Sequence, residues 1–278
     1  MKLGIALSGG GVKGAAHIGV IQALEENNIK IDILGGTSSG SIVTALYAMG
    51  YSPDQMLKLF QYFSKMILRN SPSYLEPNGK RKLSLQVGGF FSGENIESAL
   101  KEAGNFKQRR NMKDMLLTIV IPSVDILKGE KYVFTNIDKE DAKYIKSANI
   151  ETAVRASCSY PGVFAPCPYQ DKKFVDGGVA DNIPTDEVRL AGADKVISVK
   201  FAFNKESKPR GVYGVAMKSI DMIFDNRATK EVENSDYILN IDVGDVMVFN
   251  IKKIQQCYEA GYKQTMEQIE KIKESLKK

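Results

Sequence analysis

Short apolar runs alternate with amphipathic, glycine-punctuated segments along almost the whole chain, and this alternation limits the fold more than any other feature. Residues 3–7 (LGIAL), 31–34 (IDIL), 115–124 (MLLTIVIPSV), 130–136 (EKYVFTN), the KKFVDGG segment, KVISVKFAF and YILNIDV read as strands. Between them, helical spacing predicts helices over 12–27, 39–49, 149–157, TDEVRLAG, 212–233 and 251–277, the last as one long amphipathic helix. Ser52-Pro53-Asp54-Gln55 is a capping box with proline at the first helical position, so a helix runs from Pro53 to about Leu68. Ser92 caps a further helix over GENIESALKEA. Strands alternating with helices build a mainly parallel sheet covered on both faces, an α/β fold of three layers, α/β/α.

With 43% apolar residues in 278, the chain can bury a substantial core, and no repeat or linker divides it; one domain over 1–278 is expected. The net charge of +5 is mild, and no basic–aromatic interleaving of the nucleic-acid-binding kind is present. Cys158, Cys167 and Cys257 form an odd, sparse set without a CxxC pair. That pattern argues against a disulfide framework and a cysteine-built zinc site, and it fits a reducing compartment. The N-terminus runs directly into a strand, and no apolar stretch approaches the ~20 residues of a membrane span. A cytoplasmic protein is expected.

Two glycine-rich segments follow the first two strands. In SGGGVKGAA (8–16), backbone N–H groups with a helix start behind them form an anion cradle. Gly14 is followed by alanine, so the segment is not a phosphate-binding P-loop. It does satisfy G-x-G-x-x-G at Gly9, Gly11 and Gly14, but the second strand ends in Gly35-Gly36-Thr37, where a dinucleotide site wants an acid; Asp32 comes too early. A tight structural turn is the plain alternative, although three consecutive glycines exceed what a turn needs.

In GGTSSGS (35–41), one register alone gives G-x-S-x-G: Gly36, Ser38 and Gly40. Its strand-before, helix-after setting suits a sharp turn that lifts the Ser38 hydroxyl above the sheet. The same residues fit a serine-rich helix cap, in which Ser38 or Ser39 merely satisfies backbone donors.

The stretch FVDGGVADNIP ends a strand at Asp176, followed by Gly177 and Gly178. Small neighbours let another segment approach that carboxylate, although Asp-Gly turns are common without any function. Asp181 is a rival carboxylate in what reads as a polar loop. His17, the only histidine, lies one turn into the first helix; the hydrolase triad order places histidine far downstream of serine, so it reads as a packed helix residue near the loop. Lys13 either steadies the glycine loop, meets an anionic head group or is simply solvated. Residues 69–92 lack a period and read as a long loop of the lid or binding kind. Phe90-Phe91 beside Lys80-Arg81-Lys82 fit either a membrane-touching lid or, more commonly for such pairs, core.

Together GGGVKG, GTSSG and DGG resemble the patatin-like phospholipase family in order and spacing. AAHIGVIQALEE, YPGVFAPCPYQDKKFVDGGVADNIP and DVGDVMVFN…EAGY extend the likeness over nearly the whole chain. Ser39 departs from that family's frequent alanine. The resemblance implies a lipid acyl hydrolase with a Ser-Asp dyad, Ser38 as nucleophile and Asp176 as base. It also implies an oxyanion hole supplied or permitted by Gly9, Gly10, Gly11 and Gly14 with the N–H of Ser39, and no metal or cofactor. The glycine loop, the serine turn and Asp176 should then converge at one end of the sheet, beside an apolar groove covered by 69–92. The partner implied is a lipid at a membrane or micelle surface. An aspartate with a reference pKa of ~3.9 is a poor base, so partial burial is expected to offset the deficit. Such a base should give no activity rise near pH ~6.5, where a histidine base would. A non-catalytic nucleotide- or lipid-binding module using the glycine loop is the second class these residues fit.

Overall fold

The structure, a computed structural model, describes residues 1–69, 89–202 and 211–277. Strand β1 (Leu3–Leu7) is buried on both faces, with Leu3, Ile5 and Leu7 in one core and Ala6 in the other. It leads through a 3-10 turn at Gly11–Gly14 into α1 (Ala15–Glu26). Next come β2 (Ile33–Gly36), α2 (Ser39–Ala48), α3 (Pro53–Arg69), β3 (Gly89–Phe91), α4 (Glu94–Lys107), β4 (Thr118–Asp125), β5 (Glu130–Thr135), β6 (Tyr144–Ile145) and α5 (Ile150–Ser157). The chain continues through β7 (Gly162–Phe164), β8 (Cys167–Tyr169), β9 (Lys172–Asp176), α6 (Thr185–Leu190), β10 (Lys195–Phe201), α7 (Gly211–Glu231), β11 (Tyr237–Ile241), α8 (Ile254–Met266) and α9 (Ile269–Lys277).

Nine strands form one sheet in the order β11-β10-β1-β2-β4-β5-β6, with β9 on β4 and β8 on β9. The β11-β10-β1-β2-β4 portion is parallel throughout, and the β4–β5 hairpin and β8–β9–β4 pairings are antiparallel. Buried residues of α1 to α5, α8 and α9 build the larger core on one face of the sheet; Val188 of α6 and Ala228 of α7 close the other. The three-layer expectation therefore holds. Among the described residues no helix is long and apolar enough to cross a membrane.

One pairing detail creates the site. Strand β2 runs along one edge of β4 as far as the pair Gly35–Val120, and β9 arrives antiparallel from the other end with Asp176 opposite Ser123. Two strand ends thus face each other across Ile121 and Pro122. Proline, having no N–H to donate, is suited to the place where the ladder breaks. The backbone of Gly177 lies so close to the Pro122 carbonyl that a side chain there would collide with it.

The expected capping box is present: Gln55 N–H donates to Ser52 Oγ (3.4 Å), and Ser52 N–H to Gln55 Oε1 (3.1 Å). Several boundaries differ from the sequence reading. The second strand begins two residues later than IDIL, and the strand expected from 115 starts at Thr118. The single helix expected over 251–277 is α8 and α9, separated at 267–268. The 69–92 loop is not one loop: α3 continues to Arg69, and Gly89–Phe91 pair with Gly162–Phe164 as a two-stranded ribbon. The remainder of that segment, with Lys80-Arg81-Lys82, lies outside the described residues. Phe91 is partly buried, its ring 5.6 Å from Phe164, which favours the core reading at that position.

Candidate functional site

Ser38 sits between β2 and α2 with φ 53° and ψ −122°, a left-handed conformation that non-glycine residues rarely adopt. The flanking glycines make the turn possible. A side chain on Gly36 would strike the Gly40 carbonyl and Thr44, and one on Gly40 would lie 2.7 Å from the Leu7 carbonyl. The Ser38 N–H donates to Ser157 Oγ (3.1 Å), and its carbonyl accepts from Ser41 Oγ (2.6 Å), so the turn is held from both sides. Neither bond uses the Ser38 hydroxyl.

Asp176 is fully buried at the end of β9. Its Oδ1 accepts the Gly178 N–H at 2.8 Å, while Oδ2 has no hydrogen-bond partner among the described residues. Burial pushes the carboxyl up to about 7, opposed by the nearby Ser38 hydroxyl and by the Gly178 N–H. Ser38 lies near enough to favour the charged form yet outside hydrogen-bond geometry, as catalytic pairs without substrate often do. Burial is thus complete where partial burial was expected, and the aspartate titrates in the range ordinarily taken as histidine's. A rise in activity near pH 7 therefore no longer separates the two bases.

The glycine loop closes over Ser38. A side chain on Gly9 would lie 3.1 Å from the Ser38 Cβ, and one on Gly14 2.7 Å from Ser39. The Gly9 N–H is already taken by Asn182, through its carbonyl (3.3 Å) and Oδ1 (3.1 Å). Val12 and Lys13 N–H groups are also bonded. No bond to another described residue engages the N–H of Gly10, Gly11 or Ser39. The Gly9 N–H is thus engaged by Asn182, whereas the N–H groups of Gly10 and Gly11 in the glycine loop and of Ser39 in the serine turn are free among the described residues.

His17 lies away from this pair. Fully buried, it places Nε2 2.8 Å from the Ser8 carbonyl, with its ring 4.7 Å from that of Phe201. Burial lowers its pKa to about 4. It steadies the start of the glycine loop as a neutral imidazole. Asp181 corrects the polar-loop reading: it is buried, and its carboxylate meets Lys131 at 2.8 Å, while Lys131 also meets Glu187 at 2.7 Å. Its backbone carbonyl accepts from Thr37 Oγ1. Lys13 is half-buried and its pKa is lowered by that burial, with Asp221 nearby opposing the shift. Among the described residues no group of three or more His, Cys, Asp or Glu is placed to hold a metal ion.

Sequence reasoning missed the residues that brace the pair. Ser157 accepts from Ser38, and the Ser159 carbonyl accepts the Asp176 N–H at 3.0 Å, so the end of α5 holds both halves. Buried Arg155 donates to Ser159 Oγ, Ser92 O and Ala165 O. Ser157 and Ser159 lie in SCSYPG and Arg155 just before it, and no spacing there marks them. An open hollow of about 440 Å³, lined by Gly104, Asn105, Arg110 and Asn149, contains none of these residues, so it is not the groove expected for an acyl chain.

Residues 5–189 match the family profile described as patatin-like phospholipase. The chain belongs to the patatin-like phospholipase family. Among curated proteins, this patatin-like chain is 27% identical over 222 residues to lysophospholipase NTE1 of Scheffersomyces stipitis, covering 80% of this chain and 13% of that protein. It is 30% identical over 207 residues to human patatin-like phospholipase domain-containing protein 6, covering 74% and 14% respectively. The chain thus spans about an eighth of the curated relatives it matches. Among solved structures, VipD from Legionella pneumophila shares the fold with a TM-score of 0.55 at 15% identity, over 97% of this chain and 67% of that one.

Ser39 yields a prediction of its own. Its hydroxyl is buried without a partner among the described residues, so it contributes desolvation cost and no bond. Ser39→Ala should raise stability by about 0–2 kcal/mol and keep turnover within a few-fold, because the backbone donor remains. Denaturant melts beside an ester assay check both; a loss of stability beyond about 1 kcal/mol would show that the hydroxyl is bonded.

Proposed function

We propose that the chain is a serine acyl hydrolase that cleaves carboxylic esters of phospholipids or lysophospholipids, with Ser38 as nucleophile and Asp176 as base. The observation that carries this reading is the free, buried Oδ2 of Asp176 beside a serine held at a strained strand-to-helix turn. Ser38 Oγ attacks the acyl carbonyl carbon while Asp176 takes its proton. The carbonyl oxygen, now negative, is met by the N–H groups of Gly10, Gly11 and Ser39, with the α2 N-terminus behind them. Collapse expels the alcohol, which takes the proton back from Asp176, and leaves an acyl-serine. Water then attacks the acyl carbon, again losing its proton to Asp176, and the fatty acid departs as Ser38 Oγ regains a proton. No step requires an imidazole.

A carboxylate near 7 is better matched to this task at neutral pH than an ordinary aspartate, since base strength and ionised fraction are then both substantial. The names of the relatives favour lysophospholipid as the first substrate to test. Fatty-acid release from lysophosphatidylcholine and from diacylphosphatidylcholine, followed by mass spectrometry for wild type and Ser38→Ala, tests the reading. Release from at least one lipid by wild type alone supports it; equal release by both proteins, or none from any ester, overturns it.

A further inference from the structure

Helix α7 is turned inside out. Residues three and four apart share a helix face, and the face carrying Val212, Val215, Ala216, Ser219, Met222 and Ile223 is exposed. Val212 is 89% exposed, Val215 54% and Ile223 53%. A surface helix ordinarily buries such a stripe. Here the charged side chains Lys218, Asp221 and Asp225 are the half-buried ones. Tyr160 donates its hydroxyl to Asp221 Oδ1 at 2.8 Å, and the ring of Phe224 covers Gly178, next to Asp176. The helix is thus fixed beside the site by its polar side, and its apolar side is left outward.

A second segment, distant in sequence, also leaves apolar side chains outward beside the glycine loop. The Val248 carbonyl accepts the Val12 N–H at 2.9 Å and abuts Gly11, pinning this loop to the glycine loop. Its neighbours Met247 and Phe249 point outward, 69% and 42% exposed. Exposed Lys252 follows Phe249, and the outward face of α7 runs on into Arg227 and Lys230.

We infer that the outward face of α7 and the Met247–Phe249 loop together form a docking surface for an anionic phospholipid bilayer, placing the mouth of the Ser38 site against the lipid. Two apolar projections sit beside one site, the acidic side chains of α7 up to Asn226 are turned inward, and exposed Arg227 and Lys230 border the outward face of α7, while the loop carries exposed Asp245 as well as Lys252 at its ends. Apolar insertion with a basic border is the chemistry that holds a helix in the interface of an anionic membrane. The inference rests on reading the site as a lipid hydrolase, but docking itself can be measured without turnover.

The test uses Ser38→Ala protein and sedimented vesicles of about three parts phosphatidylcholine to one part phosphatidylserine. Val215→Ser/Ile223→Ser and Met247→Ser/Phe249→Ser should each weaken partitioning by about tenfold or more. In the Ser38 background the same pairs should leave hydrolysis of soluble p-nitrophenyl butyrate within about twofold, because these side chains do not touch the reacting groups. Unchanged partitioning in both pairs, or equal partitioning of the parent onto pure phosphatidylcholine, overturns the anionic bilayer as occupant. So does a dimer in light scattering that either pair dissociates. Loss of all ester hydrolysis with docking intact would instead overturn the catalytic reading alone.

Discussion

Replacing Ser38 with alanine is expected to lower ester hydrolysis on the order of 10⁴-fold or more, since the nucleophile of a covalent mechanism has no substitute in the site. The fold should survive. The bonds that hold the turn run through the Ser38 N–H and carbonyl, and alanine keeps both. Ser41→Ala provides the contrast. It removes the side-chain donor to the Ser38 carbonyl while keeping the Ser41 N–H bond to it at 2.9 Å, and should cost about 1 kcal/mol of stability, with turnover reduced only a few-fold. Initial rates on p-nitrophenyl butyrate, normalised to folded protein by circular dichroism, check both. Near-normal turnover in folded Ser38→Ala would remove Ser38 from the mechanism.

Asp176→Asn is expected to lower turnover by about 10²–10⁴-fold, the range of general-base loss, and at the same time to stabilise the protein. The folded state holds the Asp176 proton up to about pH 7, whereas an unfolded aspartate releases it near 3.9. Wild-type stability therefore falls as pH rises through that window, because unfolding lets the carboxylate ionise in water. Asparagine has no proton to lose, and its Oδ1 can still accept the Gly178 N–H. The advantage of the variant should be near zero below about pH 4 and complete above about pH 7, where three pKa units correspond to at most about 4 kcal/mol. Urea unfolding at several pH values reads this directly. A variant that is less stable than wild type at pH 8 would mean that the charge is not buried at a cost.

Ser38 and Asp176 stand out in the sequence because glycines crowd them, and the structure shows what those glycines are for: Gly36 and Gly40 let the turn fold on itself, and Gly177 passes under the Pro122 carbonyl. The three layers were equally legible, because β1 and β10 are short apolar runs and α3, α4 and α5 carry their apolar residues at helical spacing. What brings Ser38 to Asp176 was not legible. It depends on β2 and β9 sharing one edge of β4, a register choice made by tertiary pairing that leaves no local pattern. The same holds for Asn182, Ser157 and Ser159, polar residues whose roles come from partners far along the chain. Asp181 misled because it falls in a loop bounded by glycine and proline, where nothing local marks a buried carboxylate; its pairing with Lys131 and the bond from Thr37 to its carbonyl come from segments far along the chain. The upward shift of Asp176 is also a property of the assembled core and not of the DGG segment.

The central claim is that a buried aspartate near 7 activates Ser38. The most direct test is the rate of covalent labelling by an alkyl fluorophosphonate as a function of pH, with the adduct mapped by mass spectrometry. The claim predicts one adduct, on Ser38 within the tryptic peptide 31–58. Its rate of formation should rise as pH increases through about 7 and level off above it, as Asp176 loses its proton. His17, held near 4, should contribute no inflection in that range. In Asp176→Asn the labelling should be slow and flat with pH. An adduct on another residue, or an unchanged rise near pH 7 in the Asp176→Asn protein, would contradict it.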